Sequence, residues 1–138
     1  MTPDANALLR RWISEGLNTQ RVSATVLPQY EAETGDGFHP DAGPWIVVSV
    51  RSGQVHPERV WIEPSMQVRV WAGGNQPDVA RARYLEVFDL LDGATNRDFG
   101  DDGYVILCSE EMQGQDLTDH LTGYVNVNSY FKLRLALR

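Results

Sequence analysis

A chain of 138 residues, 42% of them hydrophobic and 22% charged, has room for a single domain over 1–138 and enough apolar content to bury a core. Its 19 acidic against 12 basic residues leave a formal net charge of −7, which disfavours gripping nucleic acid or an anionic membrane, since both need clustered Lys and Arg. No apolar run reaches the roughly 18 residues of a membrane span. The start MTPDANALLRRW lacks the basic stretch, apolar stretch and cleavage site of a signal peptide, so a soluble intracellular protein is expected.

The first element reads as a helix. Thr2 can cap it, Pro3 suits its first turn and Asp4 complements the positive helix end. Leu8, Leu9, Trp12, Ile13 and Leu17 follow at spacings of three and four, and Gly16 and Asn18 mark the end. RVSATVL (21–27) is a short strand stopped by Pro28. Residues 28–43, PQYEAETGDGFHPDAG, are acidic, turn-rich and aperiodic, a long loop of the kind that serves function.

PWIVVSV (44–50) is apolar on both faces, as a central strand is. RSGQVHPER breaks the pattern, VWIE is a short strand, and SMQVRVWA (65–72) alternates cleanly. Met66, Val68 and Val70 share one face of it; Gln67, Arg69 and Trp71 share the other. Gly73 and Gly74 turn the chain, and Pro77 with Asp78 opens a second helix, about 77–92. Its apolar stripe is Ala80, Tyr84, Val87, Phe88 and Leu91, and Gly93 stops it.

A polar loop containing RDFGDDG leads to the strand YVILCSEEM, then to the loop QGQDLTDHLT. The last stretch, GYVNVNSYFKLRLALR (123–138), alternates from Val125 onward for more than twice the usual five or six residues of a strand. The order implies an α+β domain: a mostly antiparallel sheet of about four to five strands, with the N-terminal and second helices packed on it.

Little in the sequence is arranged for catalysis. His39, His56 and His120 form no i, i+4 pair, and the single Cys108 lies in apolar YVILCS, where a small buried hydrophobe is expected. His39 with Asp41, and Asp119 with His120, could each give two metal ligands, which leaves a small metal-dependent hydrolase as the enzyme alternative. Asp98, Asp101 and Asp102 in DFGDD are carboxylates of the kind that do acid–base work or hold magnesium, yet a Gly-spaced acidic run is ordinarily a loop. No nucleophile elbow and no phosphate loop opening a helix is present. No enzyme activity, cofactor or metal is therefore expected.

The tryptophans say more. Trp12 belongs to the helix stripe and so to the core, while Trp45 and Trp61 sit in or beside strands. Trp71 shares a strand face with Gln67 and Arg69, and Trp, Tyr and Arg are the residues that anchor interfaces. If that face is wet, Trp71 and Arg69 form a binding surface with Tyr124 and Tyr130. If the second helix covers it, they are core. Both readings stand at this point.

The strand MQVRVWA, the break GGNQPDVARAR, the helix ending in FDLLDG and the final TGYVNVNSYFKLRLAL resemble the tail terminator (tail completion) proteins of long-tailed bacteriophages, the lambda type included. The likeness covers most of 44–138 and the N-terminal helix in position; the excursions 28–43 and 51–60 fall outside it. It implies a non-catalytic virion protein, assembled in the host cytoplasm, that forms a ring, commonly a hexamer, on the head-proximal end of the tail tube. There it ends tube polymerisation and presents the head-joining surface.

Its implied partners are itself, the tail tube protein and a head-completion or connector protein, with DNA only passing through the lumen and no membrane. On that footing Arg51, Arg59, Arg69, Trp71, Tyr124 and Tyr130 are candidate interface residues, and the long last strand has length to spare for a neighbouring subunit. Asp98, Asp101 and Asp102 are candidates to line the lumen and repel phosphates. A head-completion or connector ring, and an acidic inhibitor that mimics DNA, stand as alternatives.

Overall fold

The computed structural model describes residues 3–24, 40–55, 58 and 60–136. Helix α1 spans Ala5–Leu17, and Asp4 caps it: its carboxylate accepts from the backbone N–H groups of Asn6 (3.0 Å) and Ala7 (3.3 Å). Thr2, the expected cap, lies outside the described residues. Asn18 ends the helix in the left-handed conformation, φ 50°, as a short polar side chain permits. Replacing Asp4 with alanine is expected to cost about 1 kcal/mol, seen as a lower urea midpoint at unchanged slope.

Six strands build one sheet, against the four to five expected: β1 (Val22–Ser23), β2 (Trp45–Val55), β3 (Trp61–Ala72), β4 (Thr95–Asp98), β5 (Tyr104–Thr118) and β6 (Val125–Ala136). Their order is β1-β2-β3-β6-β5-β4, with β1 parallel to β2 and every other pair antiparallel. Helix α2 (Pro77–Leu91) lies between β3 and β4 in the chain and matches its expected bounds and stripe. No helix among the described residues is long and apolar enough to cross a membrane.

Several expected breaks are strand. RSGQVHPER does not end β2, which continues to Val55 past a bulge between Val50 and Ser52. VWIE and SMQVRVWA are one strand, β3, running through Pro64. Gly53 makes this possible, because a Cβ there would stand 2.8 Å from the Cα of Pro64 across the ladder. The first residues of RDFGDD belong to the edge strand β4, and QGQDLT extends β5 to 15 residues. Bulges between Val105 and Leu107, Glu110 and Met112, and Met112 and Gln115 reset the alternation along β5 and disguise its second half as loop.

The last strand needs no neighbour to absorb its length. β6 is internal to the sheet, paired with β3 on one side and β5 on the other, so the expectation of a surplus edge is corrected. Its apolar set, Val127, Phe131, Leu133 and Leu135, joins Met66, Val68 and Val70 of β3 beneath both helices. There they meet Leu8, Leu9 and Ile13 of α1 and Tyr84, Val87 and Leu91 of α2. Each such side chain contributes roughly 1.5–3 kcal/mol on burial, which makes this face the fold's main support.

Candidate functional site: the sheet face opposite the described helices

Cross-strand partners in a sheet share a face. The pairs Trp45↔Trp71, Val47↔Arg69, Ser49↔Gln67, Arg69↔Asn128, Trp71↔Asn126 and Gln67↔Tyr130 therefore lie together, opposite the helices. Both expectations for this face need amending. Neither described helix covers it, yet Trp71 is only 3% exposed, because Val47, Trp45 and Tyr124 close around it. Burial first, and then Asp41, holds the Tyr124 hydroxyl above the usual tyrosine range.

Beside this aromatic cluster runs a polar row. Arg51 Nε donates to Gln67 Oε1 (2.6 Å), and Gln67 Nε2 donates to Asn128 Oδ1 (2.8 Å) and to the Tyr130 hydroxyl oxygen (3.4 Å). Further along, Glu63 is buried and accepts from Nε and an Nη of Arg134 at 2.9 Å, with Lys132 Nζ at 3.6 Å. Arg134 also covers the Trp61 ring at 4.4 Å. Sequence reasoning missed Gln67, Asn126, Asn128 and Glu63. The signal was there: the alternation VNVN places two carboxamides on one face of a strand whose other face is core.

Arg69 is the half-buried member of the set. Its guanidinium sits 5.8 Å from the Trp71 ring, and burial, followed by the like charge of Arg51, depresses its pKa. Arg69 Nε and Asn126 Oδ1 are buried and make no hydrogen bond among the described residues. Asn126 is 4% exposed, and both residues line a cavity of about 270 Å3 with Trp71, Leu117, Thr118 and Asp119.

The β5–β6 hairpin closes that end of the face. Asp119 organises it, its carboxylate accepting from Leu121 N–H and the Thr122 hydroxyl (both 3.0 Å) while its carbonyl accepts from Gly123 N–H (2.7 Å). Leu121, in this self-bonded turn, is nonetheless 84% exposed.

The structure thus brings Arg51, Arg69, Trp71, Tyr124 and Tyr130 onto one face. Arg59 lies outside the described residues. The acidic stretch is divided between two elements. Asp98 ends β4 and accepts from Gly100 N–H (2.9 Å), while Asp101 and Asp102 fall in a short 3-10 turn. Asp102 pairs with Arg11 of α1 (2.8 Å), and Asp101 faces solvent. Of the metal-ligand candidates, His39 is outside the described residues, as is His56. Among the described residues no three His, Cys, Asp or Glu side chains converge.

Cys108 is buried, as expected of a small hydrophobe. Burial, with Asp92 adding to it, pushes its thiol from 9 up to about 12. The Tyr84 hydroxyl is raised by burial first and by its hydrogen bond to Glu110 second. A group whose folded pKa is raised adds stability that is complete below its unfolded pKa and lost as pH rises through the folded one. Urea midpoints should therefore hold steady up to about pH 9 and fall above it. In Cys108→Ala the fall should start later, near the unfolded tyrosine value of about 10.

None of the protein-family models and none of the curated proteins compared matches the chain. Among solved structures, a chain from the virion of a native gene transfer agent particle is similar, with a TM-score of 0.62 and 14% sequence identity over 96% of this chain and 95% of that one. The two chains therefore share a fold from end to end.

Proposed function

We propose that this chain is a structural virion protein that closes into a ring on the head-proximal end of a phage tail tube, ends tube polymerisation and forms the head-joining surface. The observation that carries the reading is the end-to-end fold likeness to a virion-particle chain. The sheet face opposite the described helices supports it, because Arg69 Nε and Asn126 Oδ1, buried without a hydrogen bond among the described residues beside aromatic anchors, suit a surface completed by another protein.

The ring needs no catalysis, and its partners are further copies of the chain, the tube protein and a connector protein. An acidic DNA mimic fits less well. Asp102, Asp116, Glu86, Glu63 and Glu111 each face an Arg or Lys of the same chain and do not present a free phosphate-like array.

Light scattering with and without the tube protein of the same phage tests the reading. A ring of several subunits, or a monomer that assembles only when tube is added, supports it. A monomer at every concentration, indifferent to tube, overturns it.

The acidic stretch Asp98, Asp101 and Asp102 is the proposed lining of the lumen, and Asp101 and Asp102 are the two residues to replace. Asp101→Asn with Asp102→Asn removes two charges and one solvent-screened ion pair, so assembly should survive. DNA passage should slow as phosphates meet a less repulsive bore. Ejection kinetics matching those of the parent phage would remove the lumen role.

A further inference from the structure

The cavity at the hairpin end of this face is incomplete in a specific way. Two strands and a hairpin supply its working groups: Arg69 from β3, Asn126 from β6, and Asp119 from the β5–β6 hairpin. A guanidinium thus lies on one side of a buried carboxamide oxygen and a carboxylate on the other. Arg69 Nε wants an acceptor and Asn126 Oδ1 wants a donor. Buried groups left unsatisfied carry their full desolvation penalty, so the site favours an occupant that answers both.

A phosphate or other anion answers only Arg69 and is repelled by the oxygens of Asn126 and Asp119. An extended main chain answers both, since its free edge offers C=O and N–H groups alternately. Its flanking side chains should carry a negative charge on the Arg69 side and a positive charge on the Asp119 side.

One segment of this chain offers such an edge, extended except at Asn96, whose φ is 54°. Among the described residues β4 pairs with β5 along one edge only and ends the sheet, and Thr95 to Asp98 are all exposed. Neighbouring side chains of a strand point to opposite faces. A strand approaching edge-on therefore holds Arg97 and Asp98 on either side of its backbone. Arg97 makes no side-chain hydrogen bond or ion pair among the described residues.

The two features are too far apart to meet in one molecule. β4 pairs with the start of β5, at Tyr104, Val105 and Leu107, whereas the cavity lies at its end, Leu117 and Thr118. That is on the order of 45 Å of strand. A contact between two different patches is heterologous, the kind that generates rings.

We infer that the open edge of β4 in one copy docks over the cavity of the next, with Asp98 meeting Arg69, Arg97 meeting Asp119, and the strand's main chain satisfying Asn126. The contact rests on the ring reading and names its subunit interface. Leu117 and Leu121, 41% and 84% exposed beside the cavity, are the apolar surface it covers.

Disulfide trapping tests it. Thr95→Cys and Thr118→Cys proteins, each shown by circular dichroism to be folded, are mixed with tube protein under mild oxidation; native Cys108 is buried and silent. The expected result is a 95–118 cross-link between copies, at least tenfold more abundant than 95–95 or 118–118. Arg69→Asp in the Thr118→Cys protein should cut the yield about tenfold, and Asp98→Arg in its partner should restore it.

Equal amounts of the three cross-links, or none, overturn the contact. A ring by light scattering without the 95–118 link removes this contact and leaves the ring. The 95–118 link in an assembly that never closes keeps the contact and removes the ring.

Discussion

Replacing Trp71 with alanine is expected to lower stability by about 3–5 kcal/mol, the usual range for emptying a buried tryptophan site. In a domain of this size that is a drop of roughly 10–20 °C in Tm. The indole is held between Val47, Trp45 and Tyr124 with neither described helix behind it, so its loss opens the aromatic cluster. Arg69 also loses the surface its guanidinium covers.

The paired variant Arg69→Ala should behave differently. It gives up a cation–π contact worth about 0.5–1 kcal/mol, so its melting temperature should move by only a few degrees while self-assembly weakens. A Trp71→Ala protein that melts like the parent would show that the cluster is not a structural support. An Arg69→Ala protein that assembles like the parent would show that the guanidinium faces no partner.

Gly114→Val is the second large effect. A Cβ at this bulged position of β5 would lie 2.7 Å from Cζ of Tyr84 and 2.8 Å from Cγ1 of Val127. Neither neighbour can retreat. Val127 is core, and the Tyr84 ring is pinned because its hydroxyl donates to Glu110 and accepts from Gly114 N–H (3.1 Å). Glu110 is in turn held by the Ser129 hydroxyl (2.8 Å).

Overpacking costs about 1–3 kcal/mol, and breaking the tyrosine's hydrogen bonds adds about 1–3 more, so a loss near 4 kcal/mol is expected in urea unfolding. The clash should couple the two positions. In a Tyr84→Ala background, valine at 114 should cost at least 1 kcal/mol less than it does alone. Additive losses would show that the strand, not the ring, gives way.

Both helices were legible because an apolar stripe at helical spacing leaves a strong trace, and Asn18 and Gly93 punctuate it. The strands were legible only where alternation runs unbroken. Bulges in β2 and β5 shift the side-chain period by one, and Gly53 opposite Pro64 reads locally as a turn although the two backbones merely approach closely. β2 and β5 therefore looked shorter than they are, β3 looked like two strands, and β4, four exposed polar residues, carried no apolar signal at all.

The site shows the same division. That Arg69, Trp71, Tyr124 and Tyr130 belong together followed from period-two reading. Their burial did not, because it depends on which strands flank them: Trp45 and Val47 reach Trp71 only through the β2–β3 register. Arg51 follows Val50 where the register slips, so its hydrogen bond to Gln67 could not be read from position alone.

The polar row along Gln67, Asn128 and Tyr130 bears on the life of the protein before assembly. A recognition surface built from bare apolar side chains would tend to stick to itself and to strangers at high concentration. Here hydrogen-bonded carboxamides and ion-paired arginines cover much of the surface, and the largest aromatic is shielded by its own neighbours. On the ring proposed above, newly made copies would accumulate without clumping, and selectivity would depend on geometric match more than on greasiness. Nucleation of the assembly should accordingly be slow without a template and quick on one.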